Sequence, residues 1–246
     1  MKNFQTLETT EGPTKVPILY KRVTCIGAVF PVPKEKIKRL LPTDKLKSVS
    51  IGGGRTVYSI SCYEHHDTTI GPYNEVGFGI PCLYNPLIDI PVLPALFDRK
   101  FSVGFYVHHL PVTTRIAHDL GVKFWGFPKF MAKIDFEDSK DIRRCILRAD
   151  DKEIATLAVR KGENLKPYRW DYSNFTVKDN MLLKTVVKSL GKVWTSRKTD
   201  SATLTLGDHS VSEELRSLKL DLTPIKTMFY ADVQMILNMP SERYPL

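Results

Sequence analysis

Alternation of apolar and polar residues dominates this chain and predicts more strand than helix. Segments in which every second residue is apolar, or short apolar runs rich in β-branched and aromatic residues, are typical of strands. Asp150-Asp151-Lys152 and Gly52-Gly53-Gly54 have the composition of turns between such segments. The predicted strands are VTCIGAVFP (23–31), TVYSISCY, EVGFGIPCLY, FSVGFYVHHL, KIDFED, IRRCILRA, IATLAVRK, ATLTLGD and MFYADVQMIL.

A smaller part of the chain has helical features. Within PKEKIKRLL (33–41), Ile37, Leu40 and Leu41 fall on one helical face. In the segment 212–219, Ser212 is the expected N-cap residue and is followed by two glutamates in the first turn. The predicted helices are 33–41, 114–123, 179–190 and 212–219.

Strands that outnumber helices and follow one another in antiparallel-looking runs predict a β-rich domain of the α+β class, with a few covering helices. We find no repeat and no linker, so residues 1–246 are expected to form a single domain. Residues 1–16 are polar and are interpreted as a loose N-terminal arm. Three prolines in NPLIDIPVLPALFDRK (85–100) argue against a regular strand there.

The net charge of the chain by itself excludes few kinds of partner, but the distribution of the charges argues against nucleic acid. There are 36 basic and 27 acidic residues, which gives a formal net charge of +9. The basic residues are scattered in pairs such as Lys21-Arg22 without a nucleic-acid recognition motif, so we expect no nucleic-acid partner. No apolar run has the length of a membrane-spanning helix, and the first residues do not resemble a secretory signal. We therefore expect a cytoplasmic protein with no membrane partner and with reduced cysteines.

Several familiar kinds of site are not indicated. The chain completes neither a G-x-G-x-x-G nor a phosphate-binding loop, and it has no G-x-S-x-G. His65-His66 and His108-His109 offer metal-ligand types, but neighbouring residues of a strand point to opposite faces and no zinc spacing is present. We expect neither a metal nor a cofactor.

The segment FWGFPKFM (124–131) places Lys129 among five large apolar side chains and a proline. One interpretation is a lysine whose stem covers an aromatic surface while its ammonium reaches water. The other is a desolvated lysine that reacts as a neutral amine with a carbonyl. Lowering the pKa of a lysine from about 10.4 to near neutrality costs about 4 to 5.5 kcal/mol, and burial among aromatic residues supplies effects of that size.

A second segment, GPYNEV (71–76), places Glu75 in a turn that leads into a strand, two residues after Tyr73. The plain interpretation is an ordinary exposed acid. The functional one is a carboxylate that handles protons, or positions a substrate, beside an electrophilic imine.

These two segments together resemble the acetoacetate decarboxylase family. Members carry a Tyr-x-Glu element that leads into Gly-Ile-Pro, here YNEVGFGIP (73–81), and a downstream element that ends in Pro-Lys, here WGFPK (125–129). The segment EKIKRLLP (35–42), which follows an early strand, is also similar. The resemblance implies a curved, largely antiparallel β-barrel with helices outside and the active site within.

The resemblance also implies a function. Lys129 would form a Schiff base with a small-molecule keto acid, and Glu75 would match the family's active-site carboxylate. Tyr73, Tyr230 and the aromatic residues around the lysine (Trp125, Phe127 and Phe130) are the candidate substrate-binding residues. A homo-oligomer is expected as well.

Two departures from the family keep the exact reaction open. Phe130 stands where decarboxylating members usually carry a second lysine, whose charge depresses the pKa of the first. YSIS (58–61) lacks the second acid of such members. Decarboxylation of a β-keto acid is therefore one hypothesis and aldolase or dehydratase chemistry through the same imine is another. A non-catalytic protein that binds a hydrophobic small molecule is the third.

Overall fold

A computed structural model describes residues 5–9, 12–86 and 103–246, so the proline-rich segment 85–100 lies outside the described residues from position 87 onward. The strands are β1 (Gln5–Thr9), β2 (Gly12–Val16), β3 (Ile18–Pro33), β4 (Leu46–Ser48), β5 (Ser50–Gly52), β6 (Arg55–Thr68), β7 (Tyr73–Tyr84), β8 (Gly104–His109), β9 (Lys133–Asp138), β10 (Ile142–Ala149), β11 (Lys152–Arg160), β12 (Lys166–Lys178), β13 (Met181–Ser196), β14 (Ala202–Leu206), β15 (Lys226–Leu237) and β16 (Glu242–Pro245). The helices are α1 (Lys34–Lys38), α2 (Arg115–Trp125) and α3 (Ser210–Ser217).

Seven of these strands close into a barrel, in the order β7, β8, β12, β13, β15, β3, β6 and back to β7. The pairings around the barrel are antiparallel, except that β8 runs parallel to β12. The predicted β-rich α+β fold, with a curved and largely antiparallel barrel, is confirmed. The assignment of the whole chain to one domain stays a prediction.

The alternation along β6 shows how the barrel divides its residues between two environments. Ser59, Ser61 and Tyr63 face the cavity inside the barrel. Tyr58 and Ile60 face outward and are fully buried against the rest of the core. Since successive side chains of a strand point to opposite faces, one strand supplies both a polar lining and an apolar packing surface.

A second sheet covers the outer face of the barrel. Its order is β14-β11-β10-β9, and Leu147 and Leu157 from this sheet, with Leu215 from α3, bury against Phe30 and Ile60 of the barrel. A separate apolar cluster holds α2 against the barrel. Residues of this helix pack there with the C-terminal end of β15 and with β8. The described part of the chain contains no helix that is long and apolar enough to cross a membrane.

The prediction of a helix at 179–190 is wrong, because this segment begins the long strand β13. Asp179 and Asn180 have φ values of 50° and 58° and form the two-residue turn between β12 and β13. Asp and Asn tolerate the left-handed conformation that such hairpin turns require. From Leu183 to Ser189 every second residue is buried, which is the period of a strand.

Three smaller predictions also need correction. The N-cap of α3 is His209, whose ring accepts a hydrogen bond from the Val211 N–H, while the buried Ser212 donates to the Ile154 carbonyl. Residues 33–41 form only the short helix α1. The described part of the N-terminal arm is an antiparallel hairpin, β1 with β2, and Leu7 packs against the apolar cluster around α2.

Closure of the barrel at β8 should depend on Gly104. A Cβ at this position would lie 2.6 Å from the Ser173 carbonyl oxygen and 2.7 Å from the Phe175 ring. We expect Gly104→Ala to lower the free energy of unfolding by about 1–3 kcal/mol, measured by urea denaturation. The control is Gly77→Ala, whose Cβ would have its nearest neighbour at 3.6 Å. Equal stability of the two variants would contradict this account.

Candidate active site

The loop after α2 places Lys129 opposite β7. The helix ends at Gly126, which has φ of 62° and turns the chain in the way a left-handed C-terminal residue does. The Pro128 carbonyl then accepts from the Leu110 N–H at 3.0 Å, and the Phe130 carbonyl accepts from the Val112 N–H at 3.0 Å. Val112 in turn forms an antiparallel bridge with Glu75. Backbone hydrogen bonds on both sides therefore hold the lysine and the glutamate face to face.

Lys129 and Glu75 form a buried ion pair. Lys129 Nζ donates to Glu75 Oε2 at 2.8 Å, and the two side chains are only 5% and 14% exposed. Burial by itself would raise the pKa of Glu75, but the Lys129 charge and the nearby His65 outweigh it and lower that pKa to about 2. The carboxylate is therefore ionised at neutral pH and lies at hydrogen-bond distance from the amine.

Aromatic rings and one glycine shape the space around the lysine. Nζ of Lys129 lies 5.7 Å from the ring centroids of both Tyr73 and Phe127. A Cβ on Gly121, in the middle of α2, would lie 2.5 Å from Lys129 Cε and 2.6 Å from Cδ. The missing side chain of Gly121 thus leaves the room along the helix that the lysine stem fills. In the sequence this glycine only weakens the prediction of a helix.

The amine faces a cavity of about 150 Å³ inside the barrel. Burial raises the pKa of three lining tyrosines, Tyr63, Tyr172 and Tyr230, so their hydroxyls stay protonated and can donate hydrogen bonds. The described aromatic residues of the lining are Tyr20, Tyr63, His65, Phe78, Phe105, Phe127, Tyr168, Trp170, Tyr172 and Tyr230.

The cavity has a second lysine far from the first. Lys226 lies at the start of β15 and also lines the cavity, and burial lowers its pKa, with a further contribution from the charge of Arg197. Met235, near the other end of β15, pairs with Tyr20, whose ring lies 4.7 Å from that of His65, centroid to centroid, beside the ion pair. Nine residue steps at the rise of a strand separate Lys226 from Met235 by about 30 Å along β15. Aromatic residues lie between them.

The structure brings together part of the predicted site. Lys129, Glu75, Phe127 and Tyr230 all line the cavity. Tyr73 is not among its lining residues, although its ring lies against the lysine and its hydroxyl shares a 3.1 Å hydrogen bond with Tyr20.

Two predicted substrate-binding residues lie elsewhere, so the geometry does not support that role for them. Trp125 is buried in the core, and its Nε1–H donates to the Asn238 carbonyl at 2.7 Å. Phe130 packs against the outer apolar cluster, with its ring 6.3 Å from that of His109. The physical reason is that Phe130 follows Lys129 in an extended segment, so the two side chains point to opposite sides.

His65 belongs to the site although the sequence singled it out only as a metal-ligand type. Its Nε2 is 3.9 Å from Glu75 Oε1, too far for a direct hydrogen bond, and neither ring nitrogen has a hydrogen-bond partner among the described residues. The ring is buried among Tyr20, Tyr63 and Tyr73, and burial lowers its pKa despite the opposing effect of Glu75. The every-second-residue spacing from Ser59 to His65 was the signal that could have placed it inside the barrel.

Comparison with known proteins assigns the family. The family model described as acetoacetate decarboxylase (ADC) matches residues 6–240. The chain belongs to the acetoacetate decarboxylase family. The resemblance carried by YNEVGFGIP and WGFPK is thereby confirmed. The chain has no significant match among curated protein sequences.

Solved structures of this family share the fold. Acetoacetate decarboxylase from Legionella pneumophila subsp. pneumophila str. Philadelphia 1 is 16% identical, with a TM-score of 0.63 over 91% of this chain and 86% of that chain. Another acetoacetate decarboxylase structure gives 0.66 at 16% identity, over 93% and 89%. The enduracididine biosynthesis enzyme MppR complexed with pyruvate gives 0.59 at 12% identity, over 90% and 88%. At these identities the likeness shows the fold alone.

Replacing Lys129 with methionine should change how stability depends on pH. The pKa of Glu75 is about 2 in the folded protein against an ordinary 4.5. The stability that the ionised carboxylate contributes is therefore complete above pH 4.5 and declines as the pH falls toward 2. In Lys129→Met the lysine charge is absent, so burial raises the pKa of Glu75 above its ordinary value. The folded variant then binds a proton more readily than the unfolded chain does, and its free energy of unfolding increases as the pH falls. The difference in unfolding free energy between the two proteins should shrink by about 1 kcal/mol or more between pH 7 and pH 4.

Urea unfolding at each pH measures this difference. The control is the double variant Glu75→Gln/Lys129→Met, which lacks the titrating carboxyl and should not gain stability in acid relative to pH 7 from this position. A difference between wild type and Lys129→Met that stays constant from pH 7 to pH 4 would show that the ion pair is not formed as described.

Proposed function

We propose that this protein is a Schiff-base-forming lyase that acts on a keto acid through Lys129, with decarboxylation of a β-keto acid as the family's activity. The observation that carries the proposal is the primary amine of Lys129, buried at one end of an aromatic cavity and held at 2.8 Å from a carboxylate. Membership of a family of enzymes supports it.

The residues present suit each step of imine chemistry. The Glu75 carboxylate takes a proton from the Lys129 ammonium, which it contacts at 2.8 Å, and leaves a neutral amine. The amine adds to the ketone carbon to give a carbinolamine. Glu75 returns the proton to the carbinolamine hydroxyl, which leaves as water, and a protonated imine forms. The imine nitrogen keeps a positive charge and an N–H, and the ionised Glu75 carboxylate can accept a hydrogen bond from it as it does from the ammonium.

The protonated imine then accepts the electron pair of the bond that breaks. In decarboxylation the bond to the carboxylate carbon breaks, CO₂ leaves and an enamine forms. The enamine carbon takes up a proton, and water releases the ketone and regenerates the lysine. Tyr63, Tyr172 and Tyr230 carry protonated hydroxyls in the same cavity and are proposed to orient the substrate, and the water that supplies this proton, by donating hydrogen bonds.

Phe130 bears on the choice of reaction only through the charge that it lacks. Its side chain packs in the apolar cluster on the outer side of the barrel and does not line the cavity. A lysine in its place would therefore act on Lys129 through its charge and not through contact with the substrate.

Aldol condensation followed by dehydration is the alternative reaction. The aromatic lining offers space for a second, apolar reactant next to the enamine. The structurally similar MppR has been solved with the condensation product of pyruvate and imidazole 4-carboxaldehyde. A homo-oligomeric assembly and a cytoplasmic location stay predictions.

Borohydride trapping tests the imine directly. The protein is mixed with acetoacetate or pyruvate and reduced, and the adduct is located by mass spectrometry of the peptides. We expect one adduct, on Lys129, and none in Lys129→Arg, because the guanidinium keeps the charge next to Glu75 but cannot form an imine. The control is Lys123→Arg, an exposed lysine on α2 that should leave trapping unchanged. Full turnover by Lys129→Arg would rule the mechanism out.

The same incubations separate the three hypotheses. Release of CO₂ from acetoacetate identifies a decarboxylase. Retention of CO₂ together with a dehydrated product from pyruvate and an aromatic aldehyde identifies the aldolase type. If neither acid nor a bulkier aromatic keto acid is trapped, the non-catalytic binding protein becomes the better explanation.

Gly121→Ala should reduce trapping without unfolding the protein. The added methyl group would overlap Lys129 Cδ and Cε and must displace the lysine from Glu75, while alanine stabilises a helix by about 1 kcal/mol relative to glycine. We expect the melting temperature to be maintained and the rate of trapping to fall by about tenfold or more. Val122→Ala, at the exposed neighbouring position, is the matched control. Unchanged trapping in Gly121→Ala would mean that the lysine does not need this groove.

A further inference from the structure

A bulge in β8 brings two neighbouring histidines to the same side of the strand. In the pairing of β7 with β8, Phe78 is opposite His109 and Gly79 is opposite Val107, so His108 is an extra residue. The rings of His108 and His109 lie 4.2 Å apart, centroid to centroid. The expectation that the two side chains point to opposite faces is therefore wrong at this place.

One carboxylate from α3 contacts both rings. Glu214 Oε1 is 3.2 Å from His108 Nε2, and Glu214 Oε2 is 2.7 Å from His109 Nε2. One ligand atom from each of the three residues lies within 4.8 Å of the other two. Ligands at zinc–nitrogen and zinc–oxygen distances of about 2.0–2.1 Å are about 3.3 Å apart at the corners of a tetrahedron. Small rotations of these side chains would therefore suffice to place an ion between them.

The surroundings orient the ligand atoms in the way metal sites require. Nδ1 of His108 shares a 2.7 Å hydrogen bond with the hydroxyl of the fully buried Tyr58, which directs Nε2 toward Glu214. Phe78 and Phe130 present edge-on contacts to His109 and form an apolar wall. Glu214 is 37% exposed, so an ion and a water molecule have a path from solvent.

We propose that His108, His109 and Glu214 bind one divalent transition-metal ion of the zinc class, with water as the fourth ligand. Two imidazoles and a carboxylate are a donor set that suits Zn²⁺. None of the three residues lines the cavity that contains Lys129, so this site is distinct from the proposed active site. The ion joins β8 to α3 and thereby stabilises the contact between the barrel and its covering layer.

The test uses the full-length protein after treatment with a chelator and dialysis. Titration with Zn²⁺ in a calorimeter should give one ion per chain and a higher melting temperature, and Co²⁺ should give the visible absorption of a tetrahedral site. Glu214→Gln, which keeps the shape of the side chain, should weaken Zn²⁺ binding by about 100-fold or more. Tyr58→Phe should weaken it by about tenfold, because it removes only the partner that orients His108.

His118→Ala is the matched control, since His118 forms another histidine–acid contact, at 2.7 Å with Asp119, and its loss should leave Zn²⁺ affinity unchanged. If Glu214→Gln fails to fold, as judged by circular dichroism, NMR of the wild-type protein tests the proposal instead. There, Zn²⁺ should shift the ring NMR signals of His108 and His109 and leave that of His118 in place. Absence of stoichiometric binding, or equal affinity in Glu214→Gln, overturns the proposal and leaves a hydrogen-bonded cluster that holds α3.

Discussion

The buried ion pair between Lys129 and Glu75 is the interaction on which the rest of the site depends. An unpaired ammonium or carboxylate at this depth would be strongly disfavoured, so each group makes the burial of the other possible. The pair also holds the lysine amine at the wall of the cavity. Barrel closure between β6 and β7, the bridge at Val112 and the packing of α2 all serve to hold these two side chains together.

The two-residue period of the barrel strands directs one set of side chains into the cavity and the other set into the outer apolar core. Inward positions of β6 carry serines, Tyr63 and His65, while outward positions carry residues that bury against the second sheet. The same rule, applied to the extended segment after α2, sends Lys129 inward and Phe130 outward. Substitutions on the outer side therefore affect packing, whereas substitutions on the inner side change the lining of the cavity.

Two irregular positions, one in α2 and one in β8, shape the polar clusters of this protein. Gly121 interrupts the side-chain surface of α2 and admits the lysine stem. The bulge at His108 breaks the alternation of β8 and gathers two imidazoles beside Glu214. Glycine is unfavourable within a helix, and a bulge interrupts the alternation of a strand. Both positions lie next to a polar cluster. Local irregularity and polar function coincide here because regular alternation would direct the groups apart.

The sequence by itself determined the strand-rich class, most strand positions, α2 and the family, because alternation is a local property and the family motifs are contiguous. It also named Lys129 and Glu75 as candidate site residues. The predicted helix at 179–190 was wrong, because this segment is the turn into β13 and the first part of that strand. Tertiary structure alone decided that His65 lies beside Glu75, that Trp125 and Phe130 lie outside the cavity, and that Gly121 makes room for the lysine. These facts depend on strand register, on a bulge and on the packing of distant segments, none of which the order of residues reveals locally.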